Sequence, residues 1–309
     1  MFWRSRLASR RFSGAGQISR LLLGLALATL LLVGCGRQAG SGTGSSAGSR
    51  DVAADDSAAS DFSKAARVHP MFSLSMADLE EIAGDLPDEI QATILESPER
   101  FLELVSRILA EPPELVWLVD KEHPLGSDYA PERLVALDQY ASRLDLSRDG
   151  HRLREVLLPD LFAMVEAARD EGIELLISST YRSYAYQEEL YDYWVGELGE
   201  EEASRVSARP GRSQHQLGTT IDFGCICDAF ADTDAGRWLA ENAWEFGFSL
   251  SYPDGLEAVT GYAYESWHFR YIGRSAARLE REFFDGVQQH LTEFFDTRWG
   301  TLFSALIVV

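Results

Sequence analysis

The sequence predicts an α+β fold: a small sheet surrounded by helices, with a helical extension on its N-terminal side. Three observations support this class. Apolar residues recur at helical spacing over 75–110, 153–170, 235–248 and 276–295. Short extended runs lie between those segments, at 173–178, 219–223 and around 267–271. No internal repeat is evident, so the chain does not read as a stacked array.

The charge is unevenly spread. Residues 1–50 carry seven arginines and no acid, which leaves 21 bases against 49 acids in the remainder, or −28, within a whole-chain charge of −21. An acidic body argues against nucleic acid as a partner, because that function needs a basic footprint. Lysine occurs only as Lys64 and Lys121, and neither completes a Ser-x-x-Lys motif, so the usual serine–lysine nucleophile is excluded. Arg4, Arg6, Arg10, Arg11 and Arg20 precede an apolar run from Leu21 to Val33, shorter than a membrane span. The run ends in Leu32-Val33-Gly34-Cys35, which resembles the lipobox of bacterial lipoproteins. That resemblance implies a signal peptide over 1–34 and a lipid on Cys35. The protein would then be anchored to a membrane in the bacterial cell envelope, facing the periplasm or outside. Residues 35–66, rich in Gly, Ser, Ala and Asp, are expected to form a flexible tether.

Residues 67–112 are expected to be a helical lead-in. Ser75-Met76-Ala77-Asp78 offers a helix start, and Pro87 and Pro98 open later helices. Ile90, Ile94, Phe101, Leu102, Val105 and Ile108 supply their apolar face. Pro112-Pro113 marks a boundary, and the main domain is placed at 113–285. Its first strong helix is read from Leu153 to Asp170, with Leu157, Leu161, Met164, Val165 and Ala168 on one face. Gly172 ends it, a short strand follows, and the turn Ser179-Thr180-Tyr181 leads into a helix reaching about Gly196. A further helix is expected over 235–248, a turn at Tyr252-Pro253-Asp254-Gly255, and one long helix over 276–295. Residues 286–309 would close the chain as the end of that helix and an apolar tail from Leu302.

Two clusters carry chemistry. In Ser213-Gln214-His215-Gln216-Leu217-Gly218-Thr219-Thr220-Ile221-Asp222-Phe223-Gly224, a histidine and an aspartate stand seven residues apart with a glycine between. That spacing does not fit one helical face. Extended chain does: Ile221 and Phe223 share one face, Thr220 and Asp222 the other, and Gly218 allows the turn that returns His215. In Glu265-Ser266-Trp267-His268-Phe269-Arg270-Tyr271, aromatic and polar residues alternate as in a strand, and Glu265 precedes His268 by three. Two imidazoles and a carboxylate suit a catalytic divalent metal, and a free glutamate suits a general base. Cys225 and Cys227 follow too closely to share one ion comfortably with His215 and Asp222, and are read as structural. His69, His123, His151 and His290 lack such context.

These residues resemble the VanY-like D-alanyl-D-alanine carboxypeptidases, zinc peptidases of a superfamily that includes lysostaphin-type endopeptidases and the Hedgehog signalling domain. The likeness extends over about 115–280, through Ser178-Ser179-Thr180-Tyr181-Arg182-Ser183-Tyr184, Ala208-Arg209-Pro210-Gly211, Phe246-Gly247-Phe248 and Thr260-Gly261-Tyr262. Thr180 departs from the family's glycine. The resemblance implies a mainly antiparallel sheet, with Zn2+ on His215, Asp222 and His268. It implies Glu265 as base and acid, and Arg182 as a clamp for a carboxylate or an oxyanion. Arg182, Gln187, Ser213, Tyr252 and Trp267 would line the substrate pocket. The implied reaction is removal of the C-terminal D-alanine from a peptidoglycan stem peptide, of D,D- or L,D-type. Two other readings stand beside it: a non-catalytic cell-wall-binding lipoprotein of the same fold, and an endopeptidase that cuts cross-links.

Overall fold

The computed structural model describes residues 67–307. The signal peptide, Cys35 and the tether lie outside them, as do the last two residues of the tail. In chain order the strands are β1 (Leu134–Ala136), β2 (Asp145–Leu146), β3 (Arg152–Arg154), β4 (Leu176–Ser179), β5 (Thr220–Phe223), β6 (Phe248–Leu250) and β7 (His268–Tyr271). Five of them form one sheet in the order β2-β4-β5-β7-β6. All its pairings are antiparallel except β2 with β4. The mainly antiparallel sheet and surrounding helices are therefore as expected. Alternation decides what each central strand does. Ile221, Phe223, Phe269 and Tyr271 point into an apolar core with Leu157, Leu161, Met164, Val165 and Trp238. Asp222 and His268 point the other way and are direct cross-strand partners.

The helices are α1 (Met76–Ala83), α2 (Asp88–Glu96), α3 (Pro98–Ile108), α4 (Leu158–Asp170), α5 (Tyr184–Leu198), α6 (Glu200–Val206), α7 (Asp234–Asn242), α8 (Glu257–Thr260), α9 (Arg274–Phe283) and α10 (Gln288–Ala305). Ser75 caps α1 through a reciprocal pair with Asp78, which satisfies two otherwise orphaned donors. Phe101, Leu102 and Val105 of α3 bury against Leu279 and Phe283 of α9 and Phe294 and Phe295 of α10. Phe101 packs edge-on against Phe283 and Phe294, with ring centroids 5.4 and 5.7 Å apart. The helical lead-in thus shares one core with the last two helices. None of the described helices is long and apolar enough to cross a membrane.

Several expected boundaries differ. The helix read from Leu153 begins at Leu158, because Arg152–Arg154 pairs antiparallel with β1. The helix read over 235–248 stops at Asn242, continues as a 3-10 turn to Phe246, and gives up Phe248 to β6. The long helix read over 276–295 is two helices. Asp285 and Gly286 adopt φ of 55° and 69° between them, a left-handed turn that no helix can carry through. The apolar tail begins as the last turn of α10: Leu302 and Ala305 are buried there, and Leu306 bridges to Phe72. Cys225 and Cys227 are joined by a disulfide.

Candidate metal and catalytic centre

His215 reaches the sheet through a 3-10 turn over Gln214–Leu217, capped by the Ser213 hydroxyl, which accepts from the His215 amide at 3.3 Å. Gly218 closes the turn with φ 70°, and a Cβ there would stand 2.9 Å from Leu134 and 3.0 Å from Pro131. Only glycine fits both the conformation and the space. The chain then enters β5, so His215 and Asp222 come together although seven residues separate them. His268 arrives from β7, in register with Asp222. One donor atom from each of His215, Asp222 and His268 lies within 4.8 Å of the others, and all three residues are buried.

The donor atoms have specific partners. His215 Nδ1 donates to the Thr180 carbonyl at 2.8 Å, which leaves Nε2 with its lone pair toward Asp222 Oδ2, 3.2 Å away. His268 Nδ1 stands 3.2 Å from Asp222 Oδ1 and 3.1 Å from Glu265 Oε2. Yet His215 Nε2 and Asp222 Oδ1 make no aligned hydrogen bond, although both are buried. Buried polar atoms without partners are uncommon and costly. Nitrogen, oxygen and nitrogen donors converging in this way fit a divalent cation of the zinc type. Burial and the nearby Arg182 drive His215 down to about 4, so it is a neutral donor at ordinary pH. At His268 burial opposes the charged form, but the Asp222 and Glu265 carboxylates beside Nδ1 outweigh it and push the group up to about 9. The two carboxylates thus favour positive charge at the point where the donors meet.

The residues around this centre line a cleft of about 290 Å³, including Arg182, Ser213, Tyr252, Tyr262, Glu265 and Trp267. Glu265 keeps its side chain 17% exposed, enough to meet water and substrate. Arg182 reaches Asp222 Oδ2 at 3.4 Å and donates to Gln187 Oε1 at 3.1 Å. Gln187, expected in the pocket, is fully buried behind Arg182 and donates onward to the Ala208 carbonyl at 2.7 Å. It holds the guanidinium rather than facing the cleft. Tyr252 packs tilted against the His268 ring with centroids 4.7 Å apart, and burial pushes its hydroxyl well above the ordinary range. Thr180, the departure from the family's glycine, uses its hydroxyl to accept from the Arg152 amide at 3.1 Å and to contact His151 Nδ1 at 3.2 Å. It ties the Arg182 turn to β3.

Sequence reasoning passed over Gln214. Its Oε1 accepts from Ser251 Oγ at 2.7 Å and from His268 Nε2 at 3.3 Å, while its Nε2 donates to Gln288 Oε1 at 3.1 Å. The amide therefore holds a proton on His268 Nε2, so that a metal at the centre would take the place of the proton on Nδ1. Its place beside His215 was visible in the sequence; its reach to β7 was not. Tyr262 was noted only as part of a motif, and its position on the cleft wall emerges from the fold.

A family model described as VanY, D-alanyl-D-alanine carboxypeptidase, matches residues 150–274. The YodJ protein of Bacillus subtilis (strain 168) is 35% identical over 177 residues, covering 55% of this chain and 64% of that protein. The bifunctional D-Ala-D-Ala dipeptidase and D-Ala-D-Ala carboxypeptidase VanXYC of Enterococcus gallinarum is 31% identical over 166 residues, covering 50% of this chain and 82% of that one. Among solved structures, the LD-carboxypeptidase LdcB matches with a TM-score of 0.53 and 34% identity, over 60% of this chain and 87% of that chain. The fold and the site are thus similar to those of the VanY-type carboxypeptidases. The chain belongs to the VanY family of D-alanyl-D-alanine carboxypeptidases. It spans just under two thirds of the length of the first curated relative, 64%.

Proposed function

We propose that this protein is a zinc-dependent carboxypeptidase that removes the C-terminal D-alanine from peptidoglycan stem peptides. The observation that carries the reading is the meeting of His215, Asp222 and His268 with Glu265 at the mouth of one cleft. His215 Nε2, the Asp222 carboxylate and His268 Nδ1 would hold a Zn2+, which would supply Lewis-acid polarisation of the scissile carbonyl. Glu265 takes a proton from the attacking water as its oxygen bonds to the carbonyl carbon. It returns that proton to the amine of the leaving D-alanine as the C–N bond breaks. Arg182, half-buried and steadied by Gln187, offers donors to the developing oxyanion or to the terminal carboxylate. Ser213, Tyr252 and Trp267 shape the cleft around the terminal residue.

The names of the relatives support both halves of this reading. VanXYC is named for D-Ala-D-Ala substrates and LdcB as an LD-carboxypeptidase; a C-terminal D-alanine is common to both reactions. The presence of Glu265 against His268 favours an enzyme over a non-catalytic binder, because a binder has no need of a base beside the centre. The proposal extends to location: the lipobox-like sequence before Cys35 supports a lipid anchor in the bacterial envelope. The test is incubation with pentapeptide and tetrapeptide stems, with and without chelator, followed by mass analysis. Loss of one alanine that chelator abolishes and zinc restores is the expected result. The Glu265→Ala variant should retain the metal and lose about 10²- to 10⁴-fold in turnover. Wild-type turnover in that variant would end the assignment of the base.

A further inference from the structure

Beyond one wall of the cleft lies a second cavity of about 300 Å³, lined by Lys121, Glu122, Ser204, Arg209, Arg212 and Tyr262. The two cavities share Tyr262. The segment between them divides its residues: Ser207, Ala208 and Ser213 face the cleft, and Arg209 and Arg212 face the second cavity. The partition is therefore one aromatic ring and one stretch of backbone. Its cations stand out in a chain with 28 bases against 49 acids. Arg209 is paired with Glu200 at 2.8 Å. Lys121 and Arg212 form no ion pair among the described residues, although both are half-buried and acids are plentiful. Lys121 holds its ammonium 4.7 Å from the centre of the Tyr262 ring. The Tyr262 hydroxyl donates to the Arg212 backbone carbonyl at 3.4 Å, which ties the ring under Lys121 to the segment that carries Arg212. Burial draws the Lys121 pKa down and Glu257 opposes that, with Arg205 and Arg209 adding repulsion. An incoming anion relieves that repulsion. Glu122, the one acid of the lining, is exposed.

We propose that this cavity is a carboxylate subsite for the part of the substrate that remains after cleavage, with Lys121 and Arg212 as its cations. The inference rests on the carboxypeptidase reading. A single alanine leaves, so every further carboxylate of a stem peptide lies on the retained side. Two sources carry that chemistry: the α-carboxylate of a γ-linked glutamate, and the side-chain carboxylate of a diamino dicarboxylic acid at the third position. Lys121 lies outside residues 150–274, which the family model matches, so half of the subsite comes from outside the matched stretch.

The test compares the zinc-loaded wild type with Lys121→Gln, Arg212→Gln and the double variant. Three substrates are used: a pentapeptide stem with both carboxylates free, the same stem with one or other amidated, and an N-acetylated lysyl-D-Ala-D-Ala with neither. The double variant should raise KM for the free stem by about 3- to 20-fold, the size expected of two half-exposed charge pairs, with kcat unchanged. That penalty should fade with salt and be absent for the short peptide. Amidation that reproduces the penalty in the wild type identifies which carboxylate is bound. An unchanged KM for the free stem overturns the subsite, and so does an equal loss on the short peptide. Calorimetric titration of the Glu265→Ala protein with the free stem, with and without the two cation substitutions, reads the subsite without cleavage. Charge-dependent binding there, with no release of alanine by the wild type, refutes the carboxypeptidase reading and leaves the subsite standing; equal affinities with and without the cation substitutions refute the subsite alone.

Discussion

Gln214→Met tests whether the amide behind the sheet sets the metal-binding form of His268. Methionine matches glutamine in length and fills the same space, so the change removes polar atoms without opening a large void. Three buried groups then lose a partner: the Ser251 hydroxyl, the Gln288 carbonyl and His268 Nε2. Ser251 keeps a second acceptor in Gln288 at 3.3 Å. Among the described residues His268 Nε2 has no other partner, so the proton is free to move to Nδ1, where it blocks the lone pair the centre needs. Losing such an orienting contact typically costs about 10- to 100-fold in metal affinity, or roughly 1.4–2.7 kcal/mol. Competition with a chromophoric chelator measures that loss directly, and the visible spectrum of the cobalt-substituted protein reports whether the donor set has changed. Gln214→Glu is the control. It keeps the acceptor for His268, and the Gln288 amide, whose Nε2 is unpartnered, can rotate to donate to the new carboxylate. Its zinc affinity should stay near that of the wild type. A folded Gln214→Met protein with wild-type zinc affinity and an unaltered cobalt spectrum would refute the reasoning.

Glu280 on α9 is buried, and among the described residues only the Ser249 hydroxyl donates to it, at 2.9 Å. Burial raises it to about 8, with Ser249 and Arg281 opposing. The folded state therefore binds this proton more tightly than the unfolded chain. Stability should fall as pH rises from about 4.5 through 8 and then level, by a few kcal/mol. Glu280→Gln should flatten that slope in thermal melts; parallel curves for the two proteins would dismiss the effect. Cys35→Ser should abolish incorporation of labelled fatty acid and move the protein from the membrane to the soluble fraction. Unchanged labelling would rule out Cys35 as the anchor.

The site was largely legible because its residues lie in two short stretches whose local geometry is set by local rules. Gly218 permits the left-handed turn, alternation in Thr220–Phe223 sends Asp222 away from the core, and the same alternation in β7 orients His268. What the sequence could not show is register. Asp222 opposes His268 rather than Arg270 because β5 and β7 align one way out of several, and that alignment follows from the packing of Ile221 and Phe269 on the shared core. Arg270 shows the cost of that choice: it is wholly buried, and among the described residues only the Glu114 and Leu115 carbonyls accept from it. No pattern in the sequence marks it as anything but an exposed strand arginine.

Long-range placement accounts for the remaining errors as well. The resemblance implies Gln187 in the pocket, but it sits on the inner face of α5, where its amide meets Ser207 and Ala208 instead of solvent. Helical spacing over 276–295 continued across Asp285 and Gly286 without a break, because the apolar residues on both sides face the same lead-in core. Periodicity reports which residues are buried; it does not report whether one straight element buries them. The same limit applies to the charged residues. Lys121, Arg209 and Arg212 read as scattered surface cations until the loop between the cleft and the second cavity brings them to one side of Tyr262. Where function depends on a local motif, this chain declares it. Where function depends on what the motif is set against, only the fold supplies the answer.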